Sequence, residues 1–375
     1  MTGPVASLNT AWFALIGVLW TGYFVLEGFD FGVGILSPLL AADDIDRRIT
    51  LNTIGPFWDG NEVWLIVAGG ATFAAFPTWY ATMFSGFYLA LFLILVALIV
   101  RGAAFEYRAK RDALSWRRTW GAAHAVGSLL PALLWGVAFT DLVRGLDIVR
   151  GPHYVGGFAG LVHPIALVGG VASLLVFSLH GAVFLSLKTT GELRRRARRA
   201  AAILAAPALV AVAGLGAWLG VSIAGSPRPG ALPGDVPAAL VVASLLALGS
   251  GGLLIARGRE GLAFGTTAGA IVALSAAAFA ALFPRVMVSS VTARDSLTVW
   301  NAASAHETLL VMTVVAAIFT PFVLAYQAWT YWVFRQRLTR PPAGPGQTAG
   351  PSIPGGSPTA VPGDAAPTIP GPSVR

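Results

Sequence analysis

The chain has 375 residues, of which 56% are hydrophobic and only 11% charged, against roughly 25% charged in an ordinary soluble domain. So few charges cannot coat a water-soluble particle of this size, which excludes a soluble globular enzyme and equally a disordered or fibrous chain. The formal net charge of +8 matches the Lys and Arg excess of cytoplasmic loops in membrane proteins rather than a nucleic-acid surface, and the absence of cysteine removes disulfides, iron–sulfur clusters and cysteine nucleophiles from consideration.

A helical span needs about 20 mainly apolar residues. By this rule spans are predicted near 10–36, 61–77, 80–100, 122–142, 160–187, 200–223, 237–256, 262–283 and 305–334. The second is the weakest, because Gly69-Gly70 interrupts it and Pro77 closes it, so eight spans is the rival count. The first is not a cleavable signal peptide: it lacks a basic start, runs too long and carries Glu27 and Asp30 in its far end. Basic loops set the orientation. Arg101, Arg108, Lys110, Arg111, Arg117 and Arg118 follow the third span, Lys188 and the Arg194–Arg199 cluster follow the fifth, Arg257 and Arg259 the seventh, and Arg335, Arg337 and Arg340 the last. Nine spans place all of these on the cytoplasmic side, with the N-terminus outside and the C-terminus inside. The fold expected is all-α, a polytopic membrane protein of about nine transmembrane helices arranged as two four-helix bundles plus one peripheral helix, over residues 1–338. Residues 339–375, rich in Pro, Gly, Ser and Thr, read as a disordered cytoplasmic tail. The Pro-Gly-rich Ser226–Pro237 segment reads as a short external loop.

Where charge is this scarce, each ionisable group inside a span is informative, since insertion of one at mid-helix costs about 2.5–3.5 kcal/mol. Glu27 and Asp30 are three apart and share a helix face, and Gly28, Gly32 and Gly34 thin the helix around them so that another backbone or water can approach. Glu27 lies roughly 25 Å along the first span, in the cytoplasmic third of the bilayer. The plainer alternative is a pair of carboxylates lodged among lipid headgroups. The second cluster, Trp58-Asp59-Gly60-Asn61-Glu62-Val63-Trp64, opens the second span. Asp59 can cap a helix starting at Gly60, and the tryptophans fit an interfacial belt, but a cap leaves Asn61 and Glu62 unexplained. The two clusters converge on the cytoplasmic side as a proton entry point would.

His124, His163, His180 and His306 fall in or at the ends of spans and His153 in an external loop, with no pair at four-residue spacing and no Cys-Xaa-Xaa-Cys-His. Residue pattern alone therefore gives no haem ligand. Phosphate-binding loops, dinucleotide fingerprints and nucleophile elbows are also missing from the sequence.

The motifs together resemble subunit II of the cytochrome bd quinol oxidases. The resemblance rests on Glu27-Gly-Phe-Asp-Phe-Gly-Val-Gly34, Arg47-Arg48 with Asn52, Pro56-Phe-Trp-Asp-Gly-Asn-Glu-Val-Trp-Leu65, Gly69-Gly70-Ala71 and Phe84-Ser-Gly-Phe-Tyr88. It continues through Phe105-Glu-Tyr-Arg108, Gly136-Val-Ala-Phe139, Thr190-Gly-Glu-Leu193 and Ser296-Leu-Thr-Val-Trp300, covering nearly all of residues 10–335 in order. What the resemblance implies is a heterodimer with a subunit I that carries two haem b groups, one haem d and the quinol site. Quinol, menaquinol or ubiquinol, is oxidised at the outer face and oxygen is reduced to water with protons from the cytoplasm. Subunit II is then a haem-free scaffold in a bacterial cell membrane, with a proton route whose carboxylates match Glu27, Asp59 and Glu106, and Asp30 in the same motif. Glu27 and Glu106 stand where some relatives have Asp. A structural quinone or lipid in this chain and a small single-helix accessory subunit are further expectations of this kind, whereas His180, His306 and Glu307 depart from the pattern and receive no role. A proton-coupled secondary transporter, which also uses buried acids and Gly-broken helices, is the alternative from a different class.

Overall fold

The apolar runs fold as helices, the one local structure that satisfies every main-chain group inside a bilayer without a neighbour. The computed structural model describes residues 8–149, 153–224 and 230–341. In chain order the helices are α1 (Leu8–Leu40), α2 (Asp44–Asn52), α3 (Trp58–Ala75), α4 (Pro77–Gly86), α5 (Tyr88–Tyr107), α6 (Leu114–Arg144), α7 (Pro164–Lys188), α8 (Gly191–Ala224), α9 (Asp235–Ala256), α10 (Glu260–Leu282) and α11 (His306–Val333). Two short antiparallel pairs, β1 (Ile148–Val149) with β2 (His153–Tyr154) and β3 (Arg285–Met287) with β4 (Leu297–Thr298), lie at one end.

Central to the packing is α1, which touches α3, α6, α7 and α10 as well as α2 and α11. It can do so because Gly32 lies directly against the Phe177 carbonyl and Gly181 of α7, leaving no room for a side chain on either helix. Toward α6, Trp20, Phe24, Trp135 and Phe139 interlock edge to face, with centroids 4.9–5.3 Å apart. Helices α7 to α10 pack in sequence, and α10 returns against α7. The last helix, α11, leaves most of its surface uncovered in this chain, including Val311, Phe319 and Phe322.

Eight helices, α1 and α5 to α11, are long and apolar enough to cross a bilayer. The remaining long helix, α3, is diluted by its polar opening Asp59-Gly60-Asn61-Glu62. It nonetheless runs antiparallel to α1: Asn61 meets Asp30 at one end, while at the other the Ala75 carbonyl accepts from Ser304 N at 2.9 Å and Trp79 packs on Phe13. Gly69-Gly70, read from sequence as an interruption, sit inside the continuous helix.

Three sequence boundaries are corrected. The span placed at 80–100 is split at Phe87, because Pro77 starts a separate short helix and Ser85-Gly86 favours helix little. Helix α5 then continues to Tyr107, so Arg101 lies in the helix interior rather than in a loop. Likewise only Thr189 and Thr190 separate α7 from α8, and the Arg194–Arg199 cluster forms the opening turns of α8. Arginine is a good helix former, and Glu192 pairs with Arg195 and Arg196 three and four residues on. Of the segment read as an external loop, Ser226 to Arg228 and Pro229 lie outside the described residues, and α9 already begins at Asp235.

Many of the basic residues gather at the end of the helices opposite the β pairs, whereas Arg144, Arg285 and Arg294 lie at the β end. Arg108 and Arg117 bond Asp44, Arg196 bonds Asp46, and Arg194, Arg198 and Arg337 surround Glu260. Across this face runs the segment after α11: Leu338 N donates to the Lys188 carbonyl at 2.7 Å, Lys188 bonds the Phe334 carbonyl, and Arg340 pairs with Asp43 at 2.5 Å and Asp46 at 3.1 Å. Arg340 was expected to start the disordered tail and is instead fastened; residues 342–375 of that tail lie outside the described residues.

Asp43 also caps α2, accepting from Asp46 N at 2.8 Å. Partial burial opposes its ionisation, but the Asp46 N–H and the Arg340 guanidinium outweigh this and hold its pKa below the usual carboxylate value. Because the folded value is the lower one, the stabilisation is complete above the unfolded value and is lost as pH falls through the folded one. Hydrogen-exchange protection across residues 335–341 is therefore expected to hold steady from about pH 8 to about pH 5 and to drop only below about pH 4. Loss of protection near neutral pH would contradict this assignment.

Candidate functional site

The polar side chains that the helices turn inward meet where α1, α3, α5 and α11 come together. Glu27 and Asp30 of α1 and Arg101 of α5 are completely buried. Arg101 donates to Glu27, stands 3.7 Å from Glu62 of α3, and lies 5.0 Å above the Phe31 ring. One guanidinium thus faces three carboxyl groups, a set short of positive charge when every carboxyl is ionised, which is the chemistry a proton-holding site needs. Asn61 bridges onward: its Nδ2 donates to Asp30 at 2.7 Å and to the Leu26 carbonyl at 3.3 Å. Its Oδ1 accepts from Gln327 Nε2 at 3.1 Å and from the Tyr331 hydroxyl at 3.0 Å, both on α11. Trp64 Nε1 donates to Gln327 Oε1 at 2.9 Å. Gly22 makes the approach of α3 feasible, since the Trp64 ring occupies the space a Cβ would take.

Asp59 and Glu106 are placed differently. Both are exposed, one residue beyond Trp58 and Phe105, whose rings stack at 4.8 Å and join the start of α3 to the end of α5. Asp59 is not the helix cap: α3 starts at Trp58, the cap position is Phe57 without a side-chain bond, and Asp59 Oδ1 accepts from Gly60 N at 2.7 Å. The helix starts early because the turn before it already bonds Trp58 N to the Ile54 carbonyl. Of the four acids singled out in the sequence, then, Glu27 and Asp30 meet in the buried cluster, while Asp59 and Glu106 flank its approach.

Sequence reasoning missed three members. Arg101 was assigned to a loop, although the apolar run Gly102-Ala103-Ala104-Phe105 after it was the sign that the helix continues. Gln327 and Tyr331 are four apart and share a face of α11, but no local pattern ties them to α3.

The histidines do not form a set. Buried His180 bonds Thr267 through Nδ1 at 2.7 Å and stacks on Phe264, and His163 caps α7 by accepting from Ile165 N at 3.3 Å. His124 is buried beside Phe105, and neither ring nitrogen has a hydrogen-bond partner among the described residues, whereas His306 and Glu307 are exposed at the start of α11. Among the described residues, no three His, Asp or Glu side chains gather as a metal-binding group. A groove of about 900 Å³ between α1, α10 and α11 is almost wholly apolar, with Trp64, Gln327 and Tyr331 among its lining residues.

Comparison with known proteins places this architecture. The family model described as cytochrome bd terminal oxidase subunit II matches residues 8–334. Cytochrome bd ubiquinol oxidase subunit 2 of Bacillus subtilis is 40% identical over 335 residues, covering 89% of this chain and 98% of that protein. Cytochrome bd-I ubiquinol oxidase subunit 2 of Escherichia coli K12 is 38% identical, covering 89% of this chain and 96% of that protein. In fold, the chain is similar to a chain of the bd oxidase from Geobacillus thermodenitrificans, with a TM-score of 0.68 at 19% identity, over 87% of this chain and 98% of that one. Sequence match over nearly the whole length, the shared fold and the multi-pass helical architecture agree: the chain belongs to the cytochrome bd terminal oxidase subunit II family.

Proposed function

We propose that this chain is the haem-free second subunit of a quinol:oxygen oxidoreductase in a bacterial cell membrane, and that it admits cytoplasmic protons toward the oxygen-reducing centre of subunit I. The observation that carries the reading is a graded run of acids. Asp59 and Glu106 are exposed at the basic end of the helices, Glu62 has a side chain 24% exposed, and Glu27 and Asp30 are fully buried beside Arg101. A proton entering at the surface pair would be held next at Glu62 and then at Glu27 and Asp30, each within one or two helical turns of the last. Haem b and haem d, all in subunit I, would supply the electron transfer and oxygen chemistry. Quinol, menaquinol or ubiquinol, would be oxidised on that subunit as well. In this reading α3 is a ninth crossing, the basic end is cytoplasmic and the N-terminus is outside, which suits the positive-inside rule. The groove between α1, α10 and α11 suits a quinone tail or lipid chain, and the uncovered apolar face of α11 suits subunit I, a single-helix accessory subunit or lipid. Family membership leaves the transporter alternative without support.

Asp59→Asn in the assembled complex is expected to slow oxygen consumption and proton uptake by roughly a hundredfold, the low end of what a positioned proton-transfer group contributes. Haem content should not change, because the side chain is exposed and bonds only its own helix start. Unchanged turnover at full haem content would sink the relay role of Asp59.

A further inference from the structure

The hydrogen bonds around Asn61 have a direction, and one residue sets it. An amide side chain can present either its oxygen or its NH₂ to a neighbour, so the face that Asn61 shows Asp30 depends on what holds its other end. Here the other end is held by α11. Gln327 and Tyr331 both approach Asn61 Oδ1, at 3.1 and 3.0 Å, and this leaves Nδ2 for Asp30 and the Leu26 carbonyl. All four hydrogen-bonding positions of the Asn61 amide are thereby filled. Gln327 is itself an amide and could turn over, and Tyr331 could accept as readily as donate, so neither fixes the sense alone.

Trp64 does. The indole N–H is a donor only, and it points at Gln327 Oε1 from 2.9 Å. With that oxygen engaged, the Gln327 NH₂ must face Asn61, the Asn61 oxygen must accept, and the Asn61 NH₂ must face the Asp30 carboxyl. Trp64 and Asn61 sit three apart on α3, so the chain of bonds leaves α3, crosses to α11, and returns. We propose that Trp64, acting through Gln327, with Tyr331 as second donor, is a positioning residue that keeps an N–H donor permanently aimed at Asp30. The carboxyl can then release or take up a proton on its other oxygen, Oδ1, which has no hydrogen-bond partner among the described residues, without the amide turning over to compete for it. The inference rests on the reading of Asp30 as a proton-holding group, and it extends that reading to residues on α3 and α11 that carry no charge.

The test uses the intact oxidase complex in detergent or nanodiscs, with quinol and oxygen as substrates. Trp64→Phe removes the donor that sets the direction from α3, Tyr331→Phe removes the second donor, and the double variant leaves the Asn61 amide oriented by the Leu26 carbonyl at 3.3 Å without a fixed donor to its oxygen. The double variant is expected to turn over about tenfold slower, the equivalent of losing one hydrogen bond to a charged group, and Tyr331→Phe alone to fall between it and the unaltered complex. The KM for quinol and the haem content should not move, which separates a positioning role from a general loss of packing. Should Trp64→Phe fail to assemble, because its ring also fills the space at Gly22, Gln327→Leu, combined with Tyr331→Phe, makes the same cut from α11. Asp30→Asn is measured alongside. If Asp30→Asn is slow while the double variant, or Gln327→Leu with Tyr331→Phe in its place, turns over normally, the positioning role is overturned and the proton reading survives. If Asp30→Asn turns over normally, the proton reading itself fails. Slow turnover of both, at unchanged KM, supports the proposal.

Discussion

A complex carrying Arg101→Leu is expected to lose about 3–5 kcal/mol of stability, the range for removing one partner of a buried ion pair. Arg101 is completely buried, and its guanidinium is the cation that faces Glu27 and Glu62 while lying over the Phe31 ring. Leucine fills much of the volume, so the loss would come from stranding carboxyl groups rather than from a cavity. Two further variants separate these effects. Arg101→Lys keeps a charge but as a single compact donor, and is expected to recover only part of the loss. Arg101→Leu combined with Glu27→Gln removes the stranded partner and should be more stable than Arg101→Leu alone. Thermal unfolding of the purified complex, followed by haem absorption and intrinsic fluorescence, reads all three. Equal stability of Arg101→Leu and the unaltered complex would show that the cluster does not depend on its cation.

The second large effect is expected at Gly32. A Cβ there would collide with the Phe177 carbonyl and with Gly181 Cα and N, all main-chain atoms that cannot rotate away. Gly32→Val therefore has to push α1 off α7, and because α1 also carries Glu27 and Asp30, the displacement would reach the acid cluster within about one and a half turns. Overpacking of this kind typically costs about 1–3 kcal/mol, and more where backbone is the obstacle. Assembled complex should fall well below the unaltered yield. Gly69→Ala and Gly70→Ala supply the internal control. Nothing stands within 4 Å of a Cβ at either position, and alanine in place of glycine inside a helix adds up to about 1 kcal/mol. Normal assembly of Gly32→Val, or failure of the α3 controls, would contradict the packing argument.

What the sequence made legible follows from how each feature is encoded. Apolar runs of twenty residues have one stable outcome in a bilayer, so the helices and their order could be read directly. The pairing of Glu27 with Asp30 was legible for the same reason, since carboxyls three apart on an apolar helix stand out. Arg101 misled because a basic residue just past an apolar run is a topology signal in most membrane proteins. Here burial beside Glu27 gives it a different task, and only the tertiary contact reveals which applies. The run Arg194–Arg199 shows the converse: read as part of a loop, its residues lie in a helix, since nothing in arginine opposes one. Gln327 and Tyr331 were out of reach because their partner Asn61 is more than 260 residues away in the chain. Asp59 was singled out in the acidic cluster opening the second span and Glu106 through family resemblance, and the exposed positions they hold lie beside a stack between Trp58 and Phe105 that no spacing rule predicts.

The distance between Asn61 and α11 has a consequence for biogenesis. Helices α1 and α3 leave the ribosome first and α11 last, so the early helices hold both ends of the Asp30–Asn61 bond while the Asn61 oxygen still awaits its partners. Only when α11 arrives do Gln327 and Tyr331 fill it, and only then can Arg340 reach Asp43 and Asp46 across the basic face. A chain interrupted before α11 would contain Glu27, Asp30, Asp59, Glu62 and Glu106 and still lack the contacts that α11 makes with Asn61. Completion of synthesis is thus written into the polar site itself: the end of the polypeptide finishes a centre begun by its first helices.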